Sequence, residues 1–387
     1  MNQPVRVLNM VARLNVGGPA IHVALITARL GSPTFESMLV AGKVGEAEGD
    51  MSYYAAQHGV VPIIIPELGR ELHPVWDLVT LWKAYRLIRR IKPDVITTHT
   101  AKAGFIGRLA GRLAGVPVIV HTFHGHVFHG YFSPLKTRFF ILLERIAGRM
   151  SDTIITLTEG QRNGLADTYR IAPRSKFTVM PYGLDLDGFA RAPRKTGQFR
   201  RMWNIPADAP LVTIVGRLVP VKNHALFLEA AVKVLAEIPQ ARFAIVGDGE
   251  LRQELEAQVD ALAVRQAVTF TGWQREVVPV YADSDQLVIS SVNEGTPFTV
   301  IEAMATGCPV VATSVGGLPD FLDHGRLGAL VPSGNADALA NAIVQTLRTP
   351  PDARQLRTLI VERYGIARLA RDLEGLYRTL LAEKMGE

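Results

Sequence analysis

Cysteine and long apolar runs are what this sequence of 387 residues most lacks. Its one cysteine, Cys308, has no partner for an internal disulfide, and no stretch approaches the ~18 consecutive apolar residues of a membrane-spanning helix. The first residues run directly into a strand-like pattern, without the apolar core and cleavage site of a secretory signal. Low-complexity tracts are missing too. We therefore expect a globular protein of the reducing cytosol, neither exported nor embedded in a bilayer.

Charge is distributed unevenly along the chain. The formal net charge is +6, and residues 1–183 carry 21 Lys and Arg against 12 Asp and Glu, which leaves −3 for the remainder. A basic front half favours an anionic partner such as a membrane surface, a phosphorylated acceptor or a nucleic acid. Basic residues dispersed over solvated helices explain the same count without any partner.

Short runs rich in Val and Ile alternate with longer segments of helical period, which is the pattern of βαβ units in parallel sheets. The predicted strands of the front half are Val5–Met10, Met38–Ala41, Val60–Ile65, Asp94–Thr98, Val116–His121, Thr153–Leu157 and Phe177–Met180. Those of the back half are Leu211–Val215, Arg242–Val246, Val268–Thr271, Leu287–Ser290, Pro309–Ala312 and Ala329–Val331. Each half therefore predicts an α/β domain with a doubly wound, Rossmann-like parallel sheet.

The length of the chain predicts two domains. Hydrophobic periodicity is lost between Pro181 and Pro210, where Pro, Gly and a basic run occur. We predict an N-terminal domain at 1–183, an interdomain linker at 184–208 and a C-terminal domain at 209–365. Four leucines at spacings of four, three and four predict a C-terminal amphipathic helix at 366–387 that must cover a surface: Leu369, Leu373, Leu376 and Leu380.

The segment Ser290–Pro309 carries the strongest functional signal. A buried strand leads into a Gly/Thr/Pro loop, and a helix is predicted to begin near Pro297, a residue suited to the first helical turn. The free N–H groups and positive dipole end of that helix would receive a diphosphate, while Glu294 and Glu302 would accept hydrogen bonds from sugar and ribose hydroxyls. Two surface glutamates around an ordinary helix start are the alternative. The other residues of this loop that are predicted to contact the diphosphate-linked sugar are Gly295, Thr296, Pro297, Phe298 and Thr299.

A basic loop leaves the end of the strand Leu211–Val215, in the sequence Gly216-Arg217-Leu-Val-Pro-Val-Lys222-Asn223. Arginine can direct two donors at phosphate oxygens, and lysine adds a point charge. Arg217 and Lys222 would therefore hold a leaving diphosphate as a metal ion otherwise does, and no metal is expected. A basic loop that pairs with nearby acids is the alternative.

Two further glycine loops follow strands of the back half. Gly247-Asp248-Gly249 resembles the opening of a dinucleotide fingerprint, but Arg252 stands where the third glycine belongs. Together with Gly272-Trp273 at the next strand end, it suits a wall beside a nucleobase. Plain tight turns are the alternative for both loops.

The front half offers a glycine turn and a histidine cluster. Gly17 and Gly18 follow the first strand and would let a sugar or phosphate approach the backbone. Four of the ten histidines lie within residues 121–129, and among them His124 is predicted to act as a hydrogen-bonding or acid/base group. A zinc site is the alternative, although no thiolate lies near in the sequence and the spacing matches no usual pattern.

Two Asp-X-Asp segments resemble a metal-binding motif of paired carboxylates. They are Asp185-Leu-Asp187 in the predicted linker and Asp283-Ser-Asp285 at a helix-to-strand junction. Helix capping and turn formation explain both positions. No metal is assigned to either.

Nearly the whole chain resembles the retaining GT-B glycosyltransferases of family 4. The hallmark is a Glu, seven residues and a second Glu, here Glu294 and Glu302, followed by a match to Ala-Met-Ala-x-Gly-x-Pro-Val-Val-Ala at Ala303–Ala312. The Gly-Arg…Lys-Asn loop, the Val-Gly-x-Gly loop and the early Gly-Gly turn are also similar to the family. One departure is local: the family more often has Gly-Phe-Gly after the first Glu, where this chain has Gly295-Thr-Pro-Phe298.

The resemblance implies a fold and a set of roles. The fold would be GT-B, two Rossmann-like domains facing a cleft. Glu302 would bind the ribose, Glu294 the transferred sugar, and Arg217 with Lys222 the diphosphate, while His124 would lie near the donor sugar. The family's retaining chemistry implies a front-face reaction in which the leaving phosphate helps to deprotonate the acceptor, with Glu294, Arg217, Lys222 and His124 as the catalytic set.

These features predict a retaining, metal-independent hexosyltransferase that moves a sugar from a UDP- or GDP-linked donor to a glycan or lipid-linked acceptor of surface polysaccharide or glycolipid synthesis. An epimerase or hydrolase on the same fold and a non-catalytic nucleotide-sugar sensor are the alternatives. An NAD-dependent oxidoreductase is disfavoured by the incomplete glycine fingerprint. The aromatic and basic segment Tyr131–Arg145 predicts contact with an anionic inner leaflet, and a buried core helix with basic edges is the alternative. No nucleic acid partner is expected.

Overall fold

The computed structural model describes residues 3–15, 17–31, 33–45, 49–69, 73–125, 134–295 and 297–386. The chain folds as two compact units. The first combines Met1–Asp185 with Tyr364–Glu387, and the second is Leu186–Arg363. Both units are parallel α/β sheets, which confirms the predicted fold class.

The described part of the first unit is built on a parallel sheet. Its strands are β1 (Val5–Arg13), β2 (Phe35–Gly42), β3 (Ile63–Ile64), β4 (Val95–His99), β5 (Val118–Thr122), β6 (Thr153–Thr156) and β7 (Phe177–Val179), in the order β3-β2-β1-β4-β5-β6-β7. Its helices are α1 (Gly18–Arg29), α2 (Ser52–Gln57), α3 (Pro74–Ile91), α4 (Ala101–Ala114), α5 (Pro134–Met150) and α6 (Glu159–Asn163).

Both faces of this sheet are buried, which explains why its strands read as nearly continuous apolar runs. On β1, Leu8 and Met10 pack in the cluster that holds the buried residues of α3 and α4. Val7 and Val11 point the other way, into clusters that hold the buried residues of α1. The period-two alternation of a strand thus supplies two cores from one segment.

The described part of the second unit repeats the design. Its strands are β8 (Leu211–Val215), β9 (Arg242–Val246), β10 (Val268–Gly272), β11 (Gln286–Ile289), β12 (Val310–Thr313) and β13 (Ala329–Val331), in the order β10-β9-β8-β11-β12-β13. Its helices are α7 (Asp187–Arg191), α8 (Gln198–Met202), α9 (His224–Glu237), α10 (Arg252–Ala261), α11 (Val278–Asp283), α12 (Phe298–Ala305), α13 (Leu318–Phe321), α14 (Ala336–Arg348) and α15 (Ala353–Tyr364).

Every predicted strand corresponds to an observed one, and the bounds differ most at β2, which is longer than predicted, and at β3, which is shorter. The sequence predicted a strand over Val60–Ile65, but only Ile63–Ile64 pairs with β2. Pro62 and Pro66 flank that pair and cannot donate to a strand ladder, so the strand stays short. β3 lies at the edge of the sheet, where a short strand also limits unwanted pairing.

The C-terminal leucines lie on one helix, α16 (Ile366–Met385). Leu369 and Leu373 are buried in the cluster that contains Val7 and Leu25, so the helix covers the first unit. Leu376 and Leu380 pack against the same cluster with partial exposure. The leucine spacing predicted an amphipathic helix but not the surface that it covers.

The segment that the sequence assigned to a linker contains α7 and α8 and belongs to the second unit from Leu186 onward. The buried Asp283 accepts hydrogen bonds from the backbone N–H groups of Gly197 and Phe199, both at 2.8 Å. Asp285 pairs with Arg200 and Lys195, both at 2.8 Å. These two carboxylates therefore fasten the segment to the second unit.

A buried ion pair joins α4 to α5 in the first unit. Arg108 is 0% exposed, and its Nη2 donates to Oε2 of Glu144 at 2.7 Å. We expect Glu144→Ala to lower the free energy of unfolding by about 3–5 kcal/mol, because it leaves a guanidinium buried without its counter-charge. Urea unfolding of the purified protein measures the change.

An exposed pair of the same unit supplies the control for this variant. The oxygen of Asp167 and the nitrogen of Arg174 are 2.6 Å apart, but both side chains are about half exposed. Asp167→Ala should therefore cost less than about 1 kcal/mol. Equal costs for the two variants would contradict the importance of burial at Glu144.

Candidate active site

The order of the second sheet fixes where its loops meet. The chain winds from β8 outward to β9 and β10, then crosses back to β11 on the other side of β8. Ligands of doubly wound sheets bind at such a switch point, beyond the carboxyl ends of the two strands beside it. Here those ends lead into the Gly216 loop and the Glu294 loop, the two segments with the strongest sequence signals.

Hydrogen bonds hold these two loops together. The backbone N–H of Val292 donates to the carbonyl of Val221 at 2.9 Å. The hydroxyl of Ser290 lies 2.9 Å from the carbonyl oxygens of both Lys222 and Asn223. The predicted diphosphate loop and the predicted sugar loop are therefore one structural unit.

Lys222 and Glu294 form an ion pair that joins the Gly216 loop to the Glu294 loop. Lys222 Nζ donates to Glu294 Oε1 at 2.5 Å, and the hydroxyl of Ser291 donates to the same oxygen at 2.6 Å. Glu294 is buried, with 9% of its surface exposed. Burying a carboxylate is costly unless such partners accompany it. Ser291 was not singled out from the sequence.

Arg217 lies on the same loop as Lys222. Its side chain is exposed, and within the described residues it has no hydrogen-bond or ion-pair partner. Arginine presents a planar fork of donors that matches two oxygens of a phosphate. Arg217 is thus free to bind an anion, whereas Lys222 must share its charge with Glu294.

The loop after β9, which holds Gly247 and Gly249, packs closely against the backbone of the Gly216 loop. Gly247 has φ +138°, and a Cβ on it would lie 1.9 Å from the carbonyl oxygen of Gly216. A Cβ on Gly249 would lie 2.5 Å from the carbonyl oxygen of Leu218. Leu218 N–H donates to the carbonyl of Asp248 at 3.0 Å, so these glycines are required by backbone contact rather than by a turn alone.

The loop after β10 joins them through a backbone bond. Gly247 N–H donates to the carbonyl of Gly272 at 3.0 Å, and Gly272 has φ +67°. The indole of Trp273 follows and is 64% exposed. An exposed indole beside an anion site gives a planar surface on which a base could stack.

Helix α12 begins where the sequence predicted. Pro297 is its N-cap, and among the described residues no side chain hydrogen-bonds to its first turn and no acidic residue lies there. Phe298 and Thr299 are half-buried in that first turn, and Gly295 before it is exposed. Thr296 lies outside the described residues. The positive end of the helix dipole lies at this start, where it would favour an anion.

Glu302 lies one turn along the same helix. The hydroxyl of Tyr281 donates to its Oε2 at 3.1 Å. Burial raises the pKa of Glu302 to about 7, and the Tyr281 hydrogen bond opposes this only in part. Tyr281 was also missed from the sequence, because nothing in its spacing relates it to a residue 21 positions away.

The raised pKa of Glu302 predicts a pH-dependent stability. The folded protein keeps this proton up to about pH 7, whereas the unfolded chain loses it near its ordinary value. Folding is therefore not penalised at pH 4 and is penalised increasingly as the pH rises toward 7. We expect Glu302→Gln to raise the free energy of unfolding at pH 8 by up to about 3 kcal/mol.

The same variant should change stability little at pH 5, where the carboxyl group is already neutral in the folded protein. Denaturant unfolding at both pH values measures the difference, with Glu254→Gln on α10 as the matched control. A gain of equal size at pH 5 and pH 8 would show that packing, not ionisation, is responsible.

Three further residues of the second unit escaped the sequence analysis. Gly317 N–H donates to the carbonyl of Glu294 at 3.0 Å, and Gly316 before it has φ +54°. A Gly-Gly pair after the predicted strand Pro309–Ala312 was the available signal. His224, at the start of α9, is 1% exposed, and burial lowers its pKa to about 4.

The first unit has its own switch point, between β1 and β4. Gly17 is the N-cap of α1 and Gly18 is its first residue, so the glycine turn follows β1 as predicted. His99 ends β4, and His124 follows β5. The predicted residues of this unit thus gather at the carboxyl edge of its sheet.

His124 lies in a cluster of aromatic rings. Its Nδ1 is 2.7 Å from the hydroxyl of Tyr182, and its Nε2 is 2.9 Å from Nδ1 of His99. The ring of His22 packs edge-on against the rings of His99, His124 and Tyr182 at 4.9–5.7 Å. Burial lowers the pKa of His124 to about 3, so the imidazole is neutral at pH 7.

Of the histidines that the zinc alternative grouped along the chain, His124 belongs to this cluster and His121 does not. His121 contacts the hydroxyl of Thr98 through its Nδ1 at 2.9 Å. His126 and His129 lie outside the described residues. Nitrogens of His22, His99 and His124 lie within 4.8 Å of one another, close enough to hold a metal ion after rearrangement.

Known families match the chain along most of its length. Residues 16–187 match glycosyltransferase family 4, and residues 209–349 match the glycosyl transferases group 1. The UDP-Gal:alpha-D-GlcNAc-diphosphoundecaprenol alpha-1,3-galactosyltransferase of Escherichia coli is 30% identical over 329 residues, 83% of this chain and 84% of that protein. A D-inositol 3-phosphate glycosyltransferase of Thermobispora bispora is 30% identical over 315 residues, 74% of this chain and 71% of that protein.

Solved structures agree on the fold. The Anabaena protein Alr3699/HepE, in complex with UDP, superposes with a TM-score of 0.81 at 20% identity, over 97% of this chain and 100% of that chain. Sucrose-phosphate synthase from Thermosynechococcus elongatus superposes with a TM-score of 0.75 at 24% identity, over 98% of this chain and all of that chain. The chain therefore has the two-domain GT-B fold and belongs to the family 4, or group 1, glycosyltransferases.

Proposed function

We propose that this glycosyltransferase is a retaining, metal-independent hexosyltransferase that uses a UDP-linked sugar and acts on a lipid-linked acceptor. The donor site is proposed from one arrangement. The Lys222–Glu294 ion pair lies on the loops that also hold Arg217, which has no partner among the described residues, and the start of α12, where no described side chain is a cap. The names of the E. coli relative and of the HepE complex support uridine as the base. A GDP-linked donor is the other outcome of the binding test below.

Each part of the donor has a matching group in the second unit. The diphosphate binds at the α12 helix start with Arg217 and Lys222, because backbone N–H groups and cations both favour an anion there. Glu302 accepts hydrogen bonds from the ribose hydroxyls, and Glu294 accepts one from a hydroxyl of the sugar. Gly247, Gly249 and Gly272 let the backbone approach, and Trp273 offers its face to the base.

Transfer then needs charge stabilisation rather than a separate base. The bond from the sugar C1 to the diphosphate oxygen breaks, and the acceptor oxygen bonds to C1 from the same face. The acceptor proton passes to the leaving diphosphate. Glu294 is held by Lys222 and Ser291, and Glu302 by Tyr281, so both carboxylates serve in binding. Arg217 and Lys222 neutralise the charge that develops on the leaving group, the task that a metal ion performs elsewhere.

A thermal-shift panel with UDP, GDP, ADP and NAD, in buffer containing a chelator, tests the donor site. We expect UDP to raise the melting temperature and NAD to leave it unchanged, since a ligand selective for the folded protein stabilises it. A shift by GDP alone would replace uridine with guanine, and a shift that needs added magnesium would contradict metal independence. Loss of transfer with retained donor hydrolysis in Glu294→Ala, or no transfer in the wild type, would favour the hydrolase or sensor alternatives.

The lipid-linked acceptor requires a contact with the membrane, and α5 supplies the candidate surface. Apolar side chains at spacings of four, three and four are exposed along it, by 42–80%: Leu135, Phe139, Leu142 and Ile146. Lys136, Arg138, Arg145 and Arg149 belong to the same helix. An exposed apolar stripe with basic residues is typical of helices that lie on an anionic leaflet. Among the described residues no helix is long and apolar enough to cross a bilayer.

Flotation with anionic liposomes tests this contact, which we place on the cytoplasmic side of the membrane. The wild type should bind vesicles containing anionic lipid at low salt and neutral vesicles much less. Phe139→Glu with Leu142→Glu should abolish binding and leave the UDP thermal shift intact. Leu359→Glu, at an exposed apolar position of α15, is the control. Equal binding to neutral and anionic vesicles would end the proposal.

A further inference from the structure

His124 has no free ring nitrogen in this structure. Its Nδ1 is 2.7 Å from the Tyr182 hydroxyl and its Nε2 is 2.9 Å from His99 Nδ1. On the far side of His99, Nε2 lies 3.4 Å from the hydroxyl of Thr97. Tyr182, His124, His99 and Thr97 therefore form a continuous hydrogen-bonded chain that runs from the end of β7 to β4.

The contact between the two imidazoles couples their protonation. A neutral imidazole has one N–H and one acceptor nitrogen. A nitrogen-to-nitrogen distance of 2.9 Å requires one proton between His124 and His99, because two lone pairs or two N–H groups would repel each other. Each ring's tautomer therefore determines the other's.

The chain can run in only two directions. In one, the Tyr182 hydroxyl donates to His124 Nδ1, His124 Nε2–H donates to His99, and His99 Nε2–H points at Thr97. In the other, every donor and acceptor is reversed. A change in one member thus reverses or breaks all the links, so that the tautomer of His124 is set by groups on both sides of it.

The surroundings keep both rings neutral and in place. Burial lowers the pKa of His99 and of His22 well below their ordinary value, as it does for His124. Arg368 of α16 donates to the carbonyl of Tyr182 at 2.9 Å and so anchors that end of the chain. The ring of His22 packs edge-on against the rings of His99, His124 and Tyr182 and so restricts their orientation.

We propose that Tyr182 and His99 are positioning residues of the transfer reaction: through this chain they fix the ring orientation and the tautomer of His124. The proposal rests on the hydrogen-bonding or acid/base role predicted for His124 from the sequence. It assigns functions to two residues that carry no sequence motif of their own, and it requires no contact between either of them and the substrate.

Tyr182→Phe is the sharpest test, because it keeps the ring and removes only the hydroxyl. We expect kcat for transfer to fall about tenfold to thirtyfold, which corresponds to the loss of one buried hydrogen bond. The KM for the donor and the thermal shift by UDP should stay unchanged, since the diphosphate and base bind elsewhere. Tyr85→Phe, a half-buried tyrosine of the same unit, should leave kcat unchanged.

His99 supplies a rescue experiment. An asparagine side chain places a polar atom where histidine has Nδ1, so His99→Asn should retain most of the activity, while the apolar His99→Leu should lose it as Tyr182→Phe does. Long-range nitrogen–proton NMR spectra of histidine-labelled protein should show a single His124 tautomer in the wild type and a mixture in Tyr182→Phe. A merely structural role would lower the melting temperature of both His99 variants alike without changing the tautomer.

Three results separate the possible failures. If His124→Ala keeps full kcat, the hydrogen-bonding or acid/base role predicted for His124 from the sequence is wrong. If His124→Ala loses activity while Tyr182→Phe and His99→Leu keep it, only the positioning chain is wrong. A stoichiometric metal ion in the purified protein, lost on His99→Leu, would also overturn it, because the ring nitrogens would then be ligands.

Discussion

Lys222→Ala should lower kcat/KM for sugar transfer by about 10²–10³-fold, because two contributions to catalysis are lost together. One is the positive charge that we propose to stabilise the leaving diphosphate. The other is the partner of Glu294, whose buried carboxylate then retains only the Ser291 hydroxyl. A carboxylate at 9% exposure is costly to keep buried without a counter-charge, so we expect the Glu294 side chain to leave its position in the proposed site.

A surface lysine of the same unit controls for the loss of charge alone. Lys233 pairs with Asp337 at 2.6 Å, and both side chains are well exposed. Lys233→Ala should leave kcat/KM within about twofold of the wild type, since exposed pairs contribute little. Steady-state kinetics with a UDP-sugar donor and a lipid-linked acceptor measure both variants. A Lys222→Ala enzyme within threefold of the wild type would show that the pair does not serve the donor site.

The sequence predicted the strands of both sheets better than it predicted which side chains pair with one another. Strand positions follow from local apolar runs, which is why β8 to β13 lie within about a residue of their predicted places. The loops with Arg217 and Glu294 could be related because parallel strands bring their carboxyl ends to one edge. No local pattern, however, revealed that Lys222 and Glu294, 72 positions apart, would form a direct ion pair.

What the sequence missed depends on contacts between distant segments. Tyr281 and Glu302 meet only because α11 and α12 pack side by side, and His22 reaches His99 only because β1 and β4 are neighbours in the sheet. The histidine cluster shows the same limit. Four histidines close together in sequence suggested one group, but the structure joins His124 to histidines of α1 and β4 instead.

Glycine placement belongs to the same class of information. The early Gly-Gly turn and the Gly247 loop were recognised by position after a strand, yet the reason for Gly247 is the Gly216 carbonyl of another loop. Gly316 follows a predicted strand in the same way and was passed over, although its backbone contact is with Glu294. Position after a strand therefore identifies candidate glycines, and only the neighbouring backbone shows which of them the site requires.

Gly316→Ala should accordingly abolish most of the transfer activity, by more than about a hundredfold in kcat/KM. A Cβ on Gly316 would lie 1.8 Å from the carbonyl oxygen of Glu294, so the Glu294 loop must move to admit it. The shift would break the bond from Gly317 N–H to that carbonyl and withdraw the carboxylate from Lys222 and the sugar. Displacements of about 1 Å at a reacting site cost factors of this order.

Gly334→Ala separates this collision from backbone strain. Gly316 has φ +54° and Gly334 has φ +75°, so alanine is disfavoured at both, but no atom lies within 4 Å of a Cβ on Gly334. Both variants should lose a similar small amount of stability from strain, whereas only Gly316→Ala should lose transfer. Kinetics and thermal melting of the two purified variants distinguish the effects. Full activity in a folded Gly316→Ala protein would mean that the position of the Glu294 backbone does not control transfer, and the role of this loop in the donor site would have to be reassigned.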